Sequence, residues 1–269
     1  MTYTETGLIT TIEQRTGTQL AALTQSQLDG IDQFHAGGAA AVDRILPGLK
    51  LAPGMTALDV GSGLGGPARQ IARSTGCAVV GVDTARSYVD AATAMTQAAG
   101  LAGQVSFSCA DITEVERGDF DAAYTMHVQM NIADKTGFFH HIGGRLRPGA
   151  RLATFEVCQS GRDKPEVPLP WSLDGDDSFL TTPADLRPTI EGSGFETIEW
   201  VDETAWALEW FHELAVPSSA DGAAMLPTLL TNGPRRMANF TRALADGTLT
   251  VHRGAFTFVG PRDHGRQDA

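Results

Sequence analysis

The chain has 269 residues, 42% of them hydrophobic, and a formal net charge of −12 from 20 basic and 32 acidic side chains. That hydrophobic content supports a real core and argues against global disorder. The acid excess, with no basic stripe anywhere, argues against nucleic acid as a partner, because phosphate binding rests on clustered Lys and Arg.

Residues 1–50 read as helices, with apolar residues at helical spacing broken at Gly30 and at the Gly37-Gly38 pair, and closed by Pro47 and Pro53. From Met55 the pattern becomes an alternation. "MTALDV" is a short apolar strand running into glycines, and "PARQIARST" is a helix with Pro67 in its first turn. "CAVVGVD" is a second strand, followed by a helix over 85–99 that Gly100 stops. "VSFSCAD" and "FDAAYTM" are strands three and four; a helix spans Asp134 to Leu146, and "RLATFEV" is strand five. Strands separated by helices of this length predict a doubly wound, mostly parallel α/β sheet.

Beyond strand five, "CQSGRDKPEVPLPWSLDGDDSFL" is a long loop of a kind that is usually functional. "TPADLRPTIEGSGF" predicts a short helix and "FETIEWVDE" a sixth strand. Residues 204 to about 246 return to a helical pattern, "GAFTFVG" is the last strand, and "PRDHGRQDA" is expected to fray. The segments group as a helical lid (1–50), a cofactor-binding core (51–203), a helical cap (204–253) and a final core strand (254–262).

Cys77, Cys109 and Cys158 form no CxxC pair and are expected to be reduced core thiols. No histidine spacing suggests a metal site, and none is expected. No secretion signal and no apolar run of about 18 residues are read, so a soluble cytoplasmic chain without a membrane partner is expected.

The chemistry concentrates in Gly61-x-Gly63-x-x-Gly66, with Asp83 about 20 residues further on. That spacing fits a nicotinamide dinucleotide site and a methyl-donor site equally. Three features favour the second. Asp59 stands in the strand where a dinucleotide site has an apolar residue, and a carboxylate there suits a ligand with a cationic amino group. Asp111 and Ile112 end the third strand, as an acceptor for an adenine amino group and an aliphatic cover for its ring. No separate substrate domain follows.

On these residues, 55–157 resembles the class I S-adenosylmethionine-dependent methyltransferases: "LDVGSGLGG", "GVD" and "CADI" look like their first three motifs, and "LRPGARL" is similar to the turn into their fifth strand. "DQFHAGG", "GLGGPAR", "MHVQMNIADK" and "PLPW" look like the sarcosine, dimethylglycine and phosphoethanolamine methyltransferase-like group, which also includes natural-product enzymes. The resemblance implies a seven-stranded, Rossmann-like sheet whose last strand inserts antiparallel between strands five and six. It implies S-adenosylmethionine as cofactor and S-adenosylhomocysteine as product. Gly61, Gly63 and Gly65 would line its methionine and ribose part, Asp83 its ribose hydroxyls, and Asp111 with Ile112 its adenine. Met126 and His127 would face the amino group and sulfonium, and Gln33 and Phe34 would close over it.

His127 is the leading candidate for a base or orienting group, since imidazole titrates near neutrality, and His35 is a second. Their alternative is a purely structural histidine. Trp206, Trp210, Trp171 and Phe179, with Glu156 and Asn131, are candidates for holding an amine or an aromatic, indole-like acceptor by stacking and charge. Their alternative is packing of the cap on the sheet. The expected activity is methyl transfer to nitrogen, oxygen or carbon of a small molecule. A nicotinamide oxidoreductase and a non-catalytic binding protein are the alternatives, and a homodimer is left open.

Overall fold

The computed structural model describes residues 5–161, 163–215 and 229–260. Residues 261–269, where fraying was expected, and 216–228 of the expected cap helix lie outside the described residues, as do 261–262 of the last-strand segment.

Three helices come first: α1 (Leu8–Thr16), α2 (Gln25–Asp32) and α3 (Gly38–Leu49). Thr24 caps α2 with its side chain, and Gln27 reaches back to the Thr24 N–H, which satisfies donors that a helix start leaves open. The alternation then runs β1 (Thr56–Val60), α4 (Gly66–Thr75), β2 (Ala78–Asp83), α5 (Arg86–Ala98), β3 (Val105–Cys109), β4 (Phe120–Met126), α6 (Lys135–Gly143) and β5 (Leu146–Gln159). It closes with α7 (Pro183–Gly192), β6 (Phe195–Asp202), α8 (Thr204–Ala215), α9 (Gly233–Ala245) and β7 (Leu249–Phe258).

The seven strands form one sheet in the order β3-β2-β1-β4-β5-β7-β6, with β7 antiparallel to both neighbours. This is the topology expected from the sequence. Two boundaries differ. The fifth strand starts at Leu146, because "LRPGA" extends β4–β5 pairing beyond a bulge. The last strand starts at Leu249, five residues before "GAFTFVG", because Leu249 and Val251 fit a buried face opposite β5.

Side-chain alternation divides the core. Ala57, Tyr124, Phe155 and Val157 pack with Val42, Ile45, Ile71 and Phe240 on one face. Leu58, Val60, Phe120 and Leu152 pack with Phe139, Ile142 and Ile190 on the other. Each fully buried large apolar side chain contributes roughly 1.5–3 kcal/mol. The N-terminal helices are tied to this frame by a buried ion pair, Arg69 Nη2 to Asp32 Oδ2 at 2.6 Å, with both side chains at 1% exposure or less. Arg69 also donates to Leu64 O, Ala92 O and Thr96 Oγ1, so one guanidinium joins α2, the glycine turn and α5. Cys77 and Cys158 are buried as expected, whereas Cys109, at the end of β3, is half-exposed.

Candidate active site

The carboxyl ends of β1, β2 and β4 open into a cavity of about 320 Å³, within the size range of small-molecule sites. The glycine turn forms its floor. Gly61 has φ +79°, and a Cβ there would stand 2.5 Å from Val128 Cγ2, so only glycine fits. Gly63 has φ +50° and nothing within 4 Å of where its Cβ would be, so its backbone faces open space. Its N–H donates to Asp83 Oδ2 at 2.9 Å, and Ala85 N–H donates to Asp83 Oδ1 at 2.9 Å. Each carboxylate oxygen can accept two hydrogen bonds, so Asp83 retains capacity for a ligand diol. Burial raises its pKa above the ordinary carboxylate value.

Asp111, Ile112, Phe138 and Ile132 also line the cavity. Asp111 Oδ1 caps a 3-10 turn by accepting from Thr113 N–H at 2.9 Å, and Glu114 caps the Asp111 N–H in return. Asp111 thus caps this turn and also stands in the cavity wall. Phe34, Met126, His127 and Asn131 complete the expected set that lines the space.

His127 follows β4 in a left-handed conformation, φ +55°, unusual for a residue with a side chain. Its N–H donates to Phe155 O at 2.8 Å, its ring stacks on Phe155, and His35 and Phe240 meet it edge-on. It is 8% exposed, and its Nε2 has no hydrogen-bond partner among the described residues. Burial first, and the neighbouring His35 second, hold its pKa well below the ordinary histidine value, so the imidazole is neutral.

Other expected residues stand elsewhere. His35 is not among those lining the cavity: its Nε2 lies 2.9 Å from Gln33 Oε1, and burial brings its pKa down to about 4. Gln33 bonds in turn to Gln70, and Gly65 starts α4 against Phe107, both behind the wall. Asp59 shares the face of Ala57 and sits opposite Tyr124 in register, whereas Val60 is the β1 residue that reaches the cavity. Its Oδ2 is unpartnered among the described residues, and burial raises its pKa to about 7.

The aromatic and acidic acceptor candidates are likewise outside the cavity lining. Trp206 covers Gly37, where a Cβ would overlap its ring, and Arg44 stacks over it 4.1 Å from the centroid. Trp210 covers Gly38. Trp171 is buried and donates to Ser178 Oγ at 2.9 Å, and Phe179 is 40% exposed. Glu156 is fully buried and accepts from Thr125 Oγ1, Val128 N–H and Gln129 N–H. The three tryptophans pack between the helices, the loop and the sheet.

Sequence reasoning missed Asp177, Tyr88, Val128 and Phe138, all of which line the cavity. The long loop was marked as functional, but nothing local singles out Asp177 within it. Asp83, Asp111 and Asp177 face the cavity, and among the described residues no Lys or Arg lines it. A cationic ligand fits such a wall, and a pyrophosphate does not. Among the described residues no cluster could hold a metal ion, and no helix is long and apolar enough to cross a membrane.

Residues 57–149 match the model of a methyltransferase domain. That stretch of the chain is a methyltransferase domain. A cycloartenol-C-24-methyltransferase 1 of Oryza sativa subsp. japonica is 32% identical to this chain over 225 residues, 74% of the chain and 65% of that protein. The chain spans about half to two-thirds of the length of the curated relatives it matches. A geranyl diphosphate C-methyltransferase from Streptomyces coelicolor A3(2) superposes with a TM-score of 0.70 at 16% identity, covering 96% of this chain and 95% of that one. A phosphoethanolamine N-methyltransferase 2 of Haemonchus contortus superposes with a TM-score of 0.69 at 18% identity, covering 97% of this chain and 59% of that one. At these identities the two superpositions speak for the fold.

Proposed function

We propose that the chain moves a methyl group from S-adenosylmethionine to a small-molecule acceptor by in-line displacement. The observation that carries this reading is the cavity wall, with Asp83, Asp111 and Asp177 on it and, among the described residues, no Lys or Arg. A cofactor whose sulfonium and α-ammonium give it a net positive charge is compatible with a wall so lined, whereas a nicotinamide dinucleotide would set its phosphates against it.

In this reading Asp83 holds the ribose hydroxyls, Asp111 accepts from the adenine amino group, and Ile112 and Phe138 cover the adenine ring. The backbone at Gly61 and Gly63 supports the methionine part, Met126 lies beside the sulfonium, and Phe34 closes the N-terminal side. Gln33, Gly65 and Asp59 act one layer behind these contacts. Bound there, the cofactor supplies an electrophilic methyl carbon and leaves as S-adenosylhomocysteine.

The remaining work is positioning and exclusion of water, which together are worth about 7–11 kcal/mol in well-oriented reactions. Asn131 and Asp177 face the acceptor side, and neutral His127 takes the proton from an acceptor that must lose one, such as an ammonium, phenol or indole. The acceptor is a small amine or an aromatic, indole-like molecule. Relatives named for C- and N-methylation support a small organic acceptor.

The experiment is release of S-adenosylhomocysteine from S-adenosylmethionine with a panel of small amines, phenols and indoles. Turnover with a member of the panel is expected. Tight cofactor binding with no turnover across the panel would favour a binding-only protein.

A further inference from the structure

Two consecutive residues of β5 grip the turn that follows β4 from opposite faces of the sheet. Phe155 supplies a carbonyl to His127 N–H at 2.8 Å and a ring face, 5.9 Å between centroids at an interplanar angle of 12°. Glu156, on the other face, takes Thr125 Oγ1 at 2.5 Å on one oxygen, and Val128 N–H at 2.9 Å with Gln129 N–H at 3.1 Å on the other. Between these anchors stands His127 at φ +55°. A left-handed residue with a side chain costs roughly 1–2 kcal/mol and persists only where its surroundings impose it. Residues 125, 128 and 129 are all bonded to one carboxylate, so the chain has to bend at 127.

We infer that Glu156 is a positioning residue: its carboxylate fixes the turn after β4 and thereby holds the His127 imidazole, with its buried and unpartnered Nε2, at the cavity wall. This inference rests on the proposed role of His127. It also explains why a fully buried acid stands beside the site without lining it. The same grip sets Val128, whose methyl groups fill the space that glycine leaves at position 61. The carboxylate acts here through the geometry of its acceptors, and an amide oxygen with the same reach can take both N–H bonds.

Burial brings the Glu156 pKa up to about 7, against its three hydrogen bonds and Lys135 on α6. Lys135 is itself engaged with Gln129 O, Ile132 O and Phe179 O, and the Cys158 thiol is the other titratable group close by on β5. A proton on Glu156 converts one acceptor into a donor and loosens the grip on Thr125 or on the two backbone N–H groups.

The test is nuclear magnetic resonance of the full chain with labelled histidine side chains, with and without S-adenosylmethionine. In wild type the Val128 and Gln129 amide shifts are expected to move with the midpoint of Glu156, and the His127 ring shifts to show a step at that same midpoint above the ring's own, lower titration. Glu156→Gln is expected to keep the neutral His127 signature. Glu156→Leu, an apolar replacement of similar size, is expected to lose it, with the His127 midpoint rising by about one pH unit or more toward the unperturbed value. Thr125→Val, which spares both backbone bonds, is expected to leave His127 unchanged.

A folded Glu156→Leu variant with the wild-type His127 signature would overturn the inference. Absence of the Glu156 midpoint from the His127 ring shifts in wild type would overturn it too, even if that variant does not fold. Failure of the methyltransferase reading would look different: wild type would not bind S-adenosylmethionine, whatever His127 does.

Discussion

Gly63 donates its backbone N–H to Asp83 Oδ2 at 2.9 Å, which makes the glycine turn and the end of β2 one rigid unit. The N–H that a phosphate would seek is therefore engaged by a carboxylate. Asp83→Ala removes that partner and the charge proposed to hold a ribose diol. The substitution is expected to weaken S-adenosylmethionine binding by about 1–3 kcal/mol, read by calorimetry on a folded variant. Unchanged affinity would remove Asp83 from the site.

His127→Asn keeps a residue that tolerates the left-handed conformation while removing the imidazole. With an acceptor that must lose a proton, kcat is expected to fall about 100-fold or more, and cofactor affinity to stay within about threefold. Full activity would make the histidine structural.

Much of this arrangement was legible in the sequence because its signals are local. Strand one, the glycines and Pro67 are contiguous, and Asp83 and Asp111 each end an apolar run, so topology alone carries them to one sheet edge. Asp177 was not legible. It reaches the cavity because Trp171, Ser172 and Lys135 fold the loop back through bonds to Ser178 Oγ, Asp177 Oδ1 and Phe179 O, and no periodicity encodes such contacts. The placement of the tryptophans was not legible for a related reason. Helical spacing gives Trp206 and Trp210 a shared stripe but not its target, which is the Gly37-Gly38 pair at the start of α3. Asp59 is expected near a cationic group because it stands where a dinucleotide site has an apolar residue, and Glu156 because it is an acid late in strand five; alternation along β1 and the bonds at Glu156 place both behind the cavity lining.

Arg69→Met leaves Asp32 buried without its guanidinium. Breaking a buried pair from one side typically costs about 3–5 kcal/mol, and a loss of that size is expected in denaturant unfolding. Because the same guanidinium bonds Leu64 O in the glycine turn, weaker cofactor binding is expected to accompany it. A loss below about 1 kcal/mol would make the pair marginal to the fold.

Asp59 makes stability depend on pH in a defined direction. Its folded pKa, about 7, lies above the unfolded value, so between about pH 4 and 7 the folded chain holds a proton that the unfolded chain has released. Stability from this group is therefore present in acid, falls as pH rises through that window, and is flat above it. Glu156 acts with the same sign, and His35 and His127, held neutral, act with the opposite sign as pH falls below their unfolded value. The difference between Asp59→Asn and wild type isolates Asp59. In thermal unfolding its gain is expected to grow from pH 4 to 7 and then level off, and a gain independent of pH would contradict the assignment.

Calorimetric titration of the full chain with S-adenosylmethionine, S-adenosylhomocysteine and NADH tests the central claim most directly. The account predicts binding of the first two, loss of affinity in Asp83→Ala, and no binding of NADH. Binding of NADH alone would mean that the carboxylate-lined cavity takes a phosphate-bearing cofactor, and it would contradict the methyltransferase reading.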